Sequence, residues 1–437
     1  MLTHGLLPSA PGDDKHKHTY NRPGIVHTVR IESEHSASDR HMTLVHSEFA
    51  PQVLANKLQD TRTRLKGLCQ TLAPEDWMGP YETTINPPLW EFGHIVWFQE
   101  HWCLRLKPGT DPAASPLLEP LLPARRPWAD WLYNSSRIPH AARWRAPLPT
   151  PQETIAYGDQ VLADVSEKLG TGSFDDSFRY YAELCLYHEL MHTEAWWMMW
   201  QERGLSPPAV PTLPSLDAAP SLAVPHGRVT LGSTDDAGFV FDNEKWAHEV
   251  RIDAFAIDVH PVTCGAFAEF VADGGYTHPS LWSTAGRAWL AKSRARNPLY
   301  WRQTGNAWQV RRFDRWIDLA PCEPVIHVSQ FEAEAYCAWR GRTLPSTAQW
   351  LRAYDQPGFK LGRCWEWTCD MFDPYAGFSP DPYTDYSVPW FHTHAEVRGA
   401  GSWVTDSALA RPTYRNFFNP ERRDPFIGFR TLCSADD

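Results

Sequence analysis

Apolar residues recur three and four positions apart over 53–72, 89–106, 154–168 and 176–201, a spacing that predicts four long helices. Four long helices in succession predict an up-and-down four-helix bundle spanning 46–205. The pattern then stops. Residues 206–225 (SPPAVPTLPSLDAAPSLAVP) read as a semi-extended Pro-rich linker. From 226 to 437 the apolar runs are short and turn residues frequent, with one clear helix at 329–340, which rules out a doubly wound sheet and predicts an α+β domain. Residues 1–45 mix Pro, Gly, charged residues and histidines without periodicity, so they read as a disordered leader, with Met42 as an alternative start.

At 437 residues and 43% hydrophobic content the chain is long enough for two cores. A net charge of -11 argues against nucleic-acid binding, and no uninterrupted apolar run has membrane length. The nine cysteines form no CxxC pair, and no signal peptide precedes them. That usage fits a reducing cytoplasm and gives no zinc-thiolate site. The 22 tryptophans suggest an aromatic-lined pocket in addition to core packing.

The chemistry concentrates in Tyr187-His188-Glu189-Leu190-Met191-His192-Thr193-Glu194. On a helix His188 and His192 lie one turn apart on one face and can present two imidazoles to one metal ion. The string also spells HExxH, which as a zinc hydrolase would use Glu189 as general base. Downstream, however, no further ligand motif falls on a helix. Upstream, the breaker Asn86-Pro87-Pro88 opens a helix carrying His94 among aromatics, and facing helices of a bundle can bring the three histidines together. Between the second and third helices, the long connection 133–144 is rich in hydrogen-bond donors, a composition often tied to function.

Several strings of the second half carry a resemblance. Pro324-Val325-Ile326-His327-Val328-Ser329, the stretch from Ala333 to Trp350 with Gly341-Arg342 and Leu344-Pro345-Ser346, Trp365-Glu366-Trp367-Thr368, Gly401-Ser402-Trp403 and Gly428-Phe429-Arg430 resemble the formylglycine-generating-enzyme (sulfatase-modifying, C-type-lectin-like) fold over nearly all of 226–437. Gly93-His94 with Trp97, and His188, His192 and Glu194, resemble the DinB-like bundle that precedes this fold in ergothioneine sulfoxide synthases, which are non-haem iron enzymes. The copper-binding cysteine pair of formylglycine-generating enzymes is missing. In its place stands Arg411-Pro412-Thr413-Tyr414-Arg415-Asn416-Phe417-Phe418, and Cys433 stands alone.

That resemblance implies Fe(II) held by His94, His188 and His192, with O2 as co-substrate, in the oxidative joining of a sulfur or selenium donor to imidazole C2 of hercynine (trimethylated histidine). Three neutral imidazoles leave the metal its full charge and several open positions. Tyr383 and Tyr386 match a catalytic tyrosine pair, one donating a proton or hydrogen bond in the oxidative step and the other orienting the imidazole. Asn416 would bind the hercynine carboxylate, Phe417 and Phe418 would offer π-faces to its trimethylammonium, and Arg422 would line the same site. Glu194 would orient a ligand histidine.

Met191 and Phe418 stand where glutamylcysteine-using synthases carry Gln and Asp, which leaves cysteine or another donor open. The combination of motifs is most similar to the selenoneine synthase branch. A selenosugar donor would suit Asn134, Ser135, Ser136, Arg137 and His140, with Arg143 nearby in sequence. The partners implied are small molecules only, with neither nucleic acid nor membrane. The competing readings are ergothioneine sulfoxide synthesis from cysteine or γ-glutamylcysteine, the HExxH hydrolase, and a non-catalytic binding module.

Overall fold

The computed structural model describes residues 49–106, 121–172, 174, 176–210, 212–234 and 237–433. The leader expected at 1–45, and Met42 with it, lies outside the described residues. The N-terminal half contains α1 (Pro51–Cys69), α2 (Pro88–Leu104), a short α3 (Ala129–Leu132), α4 (Pro151–Thr171) and α5 (Asp176–Arg203). The four long helices are those the periodicity predicts. Local chemistry sets their ends. Pro51, Pro88 and Pro151 occupy first-turn positions, where the missing N–H leaves no helical bond unmade. Thr150 and Glu153 form a capping box at the start of α4, and Gly172 ends it in the left-handed region at φ 66°.

α2 is buried from Pro88 through Cys103 because α4, α5 and the second half of the chain enclose it. A helix surrounded in this way has no solvent face, so its polar residues Glu91, His94, Gln99, Glu100 and His101 all need internal partners or ligands.

The second half contains β1 (Leu222–Val224), β2 (Gly227–Leu231), β3 (His248–Ile252), β4 (Phe255–Ile257), α6 (Cys264–Ala272), α7 (Thr284–Ser293), β5 (Trp301–Thr304), β6 (Ala307–Arg312), β7 (Arg315–Asp318), α8 (Gln330–Arg340), α9 (Thr347–Tyr354), β8 (Trp365–Met371), β9 (Ala395–Arg398), β10 (Asn416–Phe418), β11 (Ile427–Gly428) and β12 (Leu432–Cys433). They build small sheets ordered β1-β4-β12, β10-β9-β8-β11, β2-β3 and β5-β6-β7, with β11 parallel to β8 and the other pairs antiparallel. The α+β reading holds, but α6, α7 and α9 are helices that the expectation of one clear helix omits. Each is short enough to look like a loop in sequence, and caps at Thr263, Ser283 and Ser346 fix their starts.

The stretch read as linker is more tied down than its prolines suggest. Leu213 and Leu216 are buried, the Leu216 N–H donates to the Cys322 carbonyl, and β1 pairs with β4.

One apolar core runs through both halves. Across their contact, Tyr180 donates to Asp381 at 3.0 Å, while the Gln201 amide donates to the Arg311 carbonyl and accepts from the Phe313 N–H. No helix among the described residues is long and apolar enough to cross a membrane.

Candidate metal centre

α2 and α5 face each other and bring His94, His188 and His192 together, with one nitrogen from each lying within 4.8 Å of the others. The three rings are at most 3% exposed. Each is held differently. His94 Nδ1 donates to the Tyr133 carbonyl at 2.7 Å, and its ring stacks on Trp90 at 5.1 Å. His192 Nδ1 lies 2.7 Å from Oε1 of Glu91, and His188 stacks on Phe98 with centroids 3.6 Å apart and planes 4° apart.

With their Nδ1 atoms so committed, His94 and His192 keep Nε2 for another partner. Nε2 of His192 and both nitrogens of His188 are buried with no hydrogen-bond partner among the described residues. Leaving such groups unmatched costs about 1–3 kcal/mol each. Burial, joined for His94 and His188 by the neighbouring histidines, holds all three imidazoles well below their ordinary pKa, so they are neutral lone-pair donors. Three converging neutral imidazoles without thiolate or carboxylate suit a divalent transition metal better than magnesium or calcium.

Around the histidines lies a second layer. Glu91 is fully buried, and burial pushes its carboxyl up to about 8 against the opposing pull of Asn86 and Arg143. The Arg143 guanidinium donates to Asn86 Oδ1 at 2.6 Å and lies 4.0 Å over the Trp90 ring, so Arg143, Trp90 and His94 form one stack. Glu91 precedes His94 by three residues on the same helix. That spacing is the signal by which this orienting carboxylate could have been found in the sequence.

Glu194, expected in that role, does something else. Its Oε1 accepts from Trp365 Nε1 at 2.7 Å and from the Ser402 hydroxyl at 3.1 Å, joining α5 to the second half.

Glu189 cannot serve as the base of a hydrolase. Arg62 binds it through Nε at 2.7 Å and Nη2 at 3.0 Å, both side chains are 1% exposed, and the guanidinium is fixed further by Gly158 and Gln99. The carboxylate is locked into a buried pair with Arg62, on a different face of α5 from His188 and His192.

A narrow pocket of about 20 Å³, room for roughly one water, opens beside His94. His94, Trp97, Phe98, His101 and Trp102 of α2 line it, with Asn134, Ser135 and Ser136 from the connecting loop and Tyr383 and Asp385 from the second half. The Tyr383 ring meets Phe98 edge-on at 4.9 Å and lies 6.2 Å from His188. Tyr386 sits one layer back, stacked on Phe241 at 4.2 Å, its hydroxyl 3.8 Å from the Met191 sulfur. Ser136 Oγ donates to Asp385 across the pocket mouth.

Other expected substrate residues fall elsewhere. Arg137 is exposed and does not line the pocket. His140 is committed to the fold: its Nε2 lies 2.8 Å from the Ile85 carbonyl, and its ring packs against Trp144 and Tyr81. The alternation of strand β10 turns Phe417 away from Asn416 and Phe418 and into a cluster with Phe372, Phe378 and Phe391. Phe417 is therefore not available to a substrate cation. Phe418 carries the Arg422 guanidinium 5.5 Å over its ring, and Arg422 pairs with Asp424, so that face already holds a cation and Arg422 already has its anion. Asn416 is buried, with its amide oxygen accepting from the Phe417 N–H, and does not line the pocket.

Comparisons with known proteins agree with this architecture. Residues 57–196 match the DinB superfamily, and 207–360 with 360–435 match the sulfatase-modifying factor enzyme 1-like domain. The hercynine oxygenase of Mycobacterium tuberculosis is 32% identical over 404 residues, covering 80% of this chain and 91% of that protein. That of Mycolicibacterium thermoresistibile is 30% identical, covering 88% and 95%. A formylglycine-generating enzyme of Streptomyces coelicolor is 30% identical but covers only 49% of this chain, and 88% of its own length. These hercynine oxygenases match across both halves, and the chain belongs to the hercynine oxygenase family.

Proposed function

We propose that His94, His188 and His192 hold Fe(II) and that the enzyme uses O2 to join a sulfur or selenium donor to C2 of the hercynine imidazole. The observation that carries this reading is the convergence of three buried histidines that each place one nitrogen within 4.8 Å of the others. The family relatives named for hercynine support the substrate. Bound there, iron supplies open coordination positions and the electrons for oxygen activation.

The chain's own residues do the rest. Tyr133 and Glu91 fix the tautomers and ring orientations of His94 and His192, while Phe98 holds the plane of His188. Burial raises the Tyr383 pKa, so its phenol keeps its proton and faces the pocket as a donor. Tyr386, backed by Met191 and Phe241, braces the turn that carries Tyr383. With Phe417 and Phe418 otherwise engaged, Tyr383 is the aromatic face that the second half brings to the pocket. Asn416 keeps its proposed role toward the hercynine carboxylate, which requires substrate to reach beyond the narrow pocket.

For the donor we favour a selenosugar. Asn134, Ser135 and Ser136 form a pocket wall of amide and hydroxyl groups, and the facing Asp385 carboxylate would repel a carboxylate-bearing donor such as cysteine. The test is turnover of the Fe(II) enzyme with hercynine against cysteine, γ-glutamylcysteine, a thiosugar and a selenosugar, with products read by mass. Preference for the selenosugar supports the full reading. Preference for cysteine or γ-glutamylcysteine moves the enzyme to sulfoxide synthesis, and no product with any donor overturns the function.

A further inference from the structure

His101 has no part in holding the metal, yet it is set up as a binding group. It follows His94 by seven residues on α2, two turns or about 10 Å along the same face, and both side chains line the same pocket. The imidazole is only 4% exposed, and neither Nδ1 nor Nε2 finds a hydrogen-bond partner among the described residues. Other buried histidines of this chain behave differently: His140 engages the Ile85 carbonyl and His327 the Arg423 carbonyl. A core histidine serving only packing would be expected to satisfy at least one nitrogen, because an unmet buried polar group destabilises the fold by about 1–3 kcal/mol.

The ring is also positioned with care. Trp97 and Trp102 pack against it at 5.2 and 5.1 Å, and Trp97 is itself fixed by its indole N–H donating to Asp130 at 2.8 Å. Asp130 is in turn clamped by Arg105. A buried imidazole with two open nitrogens, held by aromatic neighbours and turned into the pocket, is a recognition group awaiting a polar ligand.

We propose that His101 is a specificity-determining residue that hydrogen-bonds the polar body of the chalcogen donor, one nitrogen donating to and the other accepting from adjacent hydroxyl groups. A donor whose sulfur or selenium sits at the three histidines would lay its body along the same face of α2, toward His101 and the Ser135 and Ser136 hydroxyls, and the Ser136–Asp385 contact across the pocket mouth would have to open to admit it. Vicinal hydroxyls, each both donor and acceptor, match a neutral imidazole, whereas a carboxylate could use only its donating nitrogen. Burial, reinforced by Arg105, lowers the His101 pKa to about 4, in keeping with a neutral ring. This inference rests on the proposed function and extends it to the residue that reads the donor.

The test compares wild type with His101→Phe, which keeps the aromatic packing, and His101→Gln, which restores a donor and an acceptor. Dissociation constants for 1-thioglucose, cysteine and hercynine are measured separately by anaerobic calorimetry on Fe(II)-loaded protein, together with iron content. Loss of about tenfold or more in 1-thioglucose affinity for His101→Phe, recovery in His101→Gln, and unchanged hercynine affinity and iron content support the proposal. Unchanged 1-thioglucose affinity in His101→Phe, or an equal loss of hercynine affinity, overturns it. If wild type binds cysteine and not 1-thioglucose, the sugar reading of the function falls. The hydroxyl-reading role of His101 falls with it, whereas the iron and hercynine reading of the function would stand.

Discussion

Glu91 and His192, 101 residues apart in sequence, meet through a 2.7 Å contact between Oε1 and Nδ1 inside a core where both are about 1% exposed. The carboxylate fixes which imidazole nitrogen is left for the metal and raises its basicity. Glu91→Gln keeps the shape and removes the ionisable oxygen, which a cation bound at His192 would draw into its charged form. Fe(II) affinity, read by chelator competition, is expected to fall about 10–100-fold, whereas affinity within twofold of wild type would show that Glu91 does not tune the site.

Arg62 and Glu189 make a second prediction, one that separates this enzyme from a hydrolase with the same motif. Glu189→Gln leaves the Arg62 guanidinium buried without its counter-charge, which should cost about 3–5 kcal/mol of stability. Thermal melting should reveal that loss, and peptidase assays should be blank for both wild type and variant. Peptidase activity in wild type that the variant lacks would reinstate Glu189 as a base.

For Tyr383 the expectation is a separation of binding from chemistry. Tyr383→Phe keeps the ring against Phe98 and removes only the phenol, so hercynine affinity should hold while carbon–chalcogen bond formation drops about 10²–10⁴-fold. Equal turnover would assign Tyr383 to packing. A crippled Tyr386→Phe beside an active Tyr383→Phe would reverse their roles.

Glu202, near the end of α5, gives a pH signature unrelated to the metal. Burial first, and then the Asp424 carboxylate, raise its pKa from 4.5 to about 7, while the Thr84 hydroxyl donates to it. Because the folded value is the higher one, the stability it contributes is complete below about pH 4.5 and is lost as pH rises through about 7. Glu202→Gln should therefore melt higher than wild type at pH 8, by about 2–4 °C for each kcal/mol recovered, and show no gain at about pH 4. A variant that tracks wild type across this range would contradict the shift.

Much of the three-histidine cluster was legible because helical spacing is local. The pair at 188 and 192 and the helix carrying His94 follow from periodicity alone. What surrounds them was not, because it depends on contacts between segments far apart in sequence. Glu194 looks like the natural partner of His192 in sequence, yet it turns to Trp365 and Ser402 of the second half, and the carboxylate beside His192 comes from α2. Phe417 and Phe418 read as one aromatic string, but strand alternation sends them to opposite faces. His140 sits in a loop rich in donors and spends its Nε2 on the Ile85 carbonyl. The helices α6, α7 and α9 escaped because eight to ten residues carry too few turns for a clear period.

The most direct test of the central claim is the metal content of anaerobically purified protein and of its His94→Ala variant, by mass spectrometry. A three-histidine iron centre predicts about one iron per chain in the wild type and little in the variant, since α5 alone supplies only two of the three ligands. Iron retained at the wild-type level by the variant, or zinc in place of iron in the wild type, would contradict it.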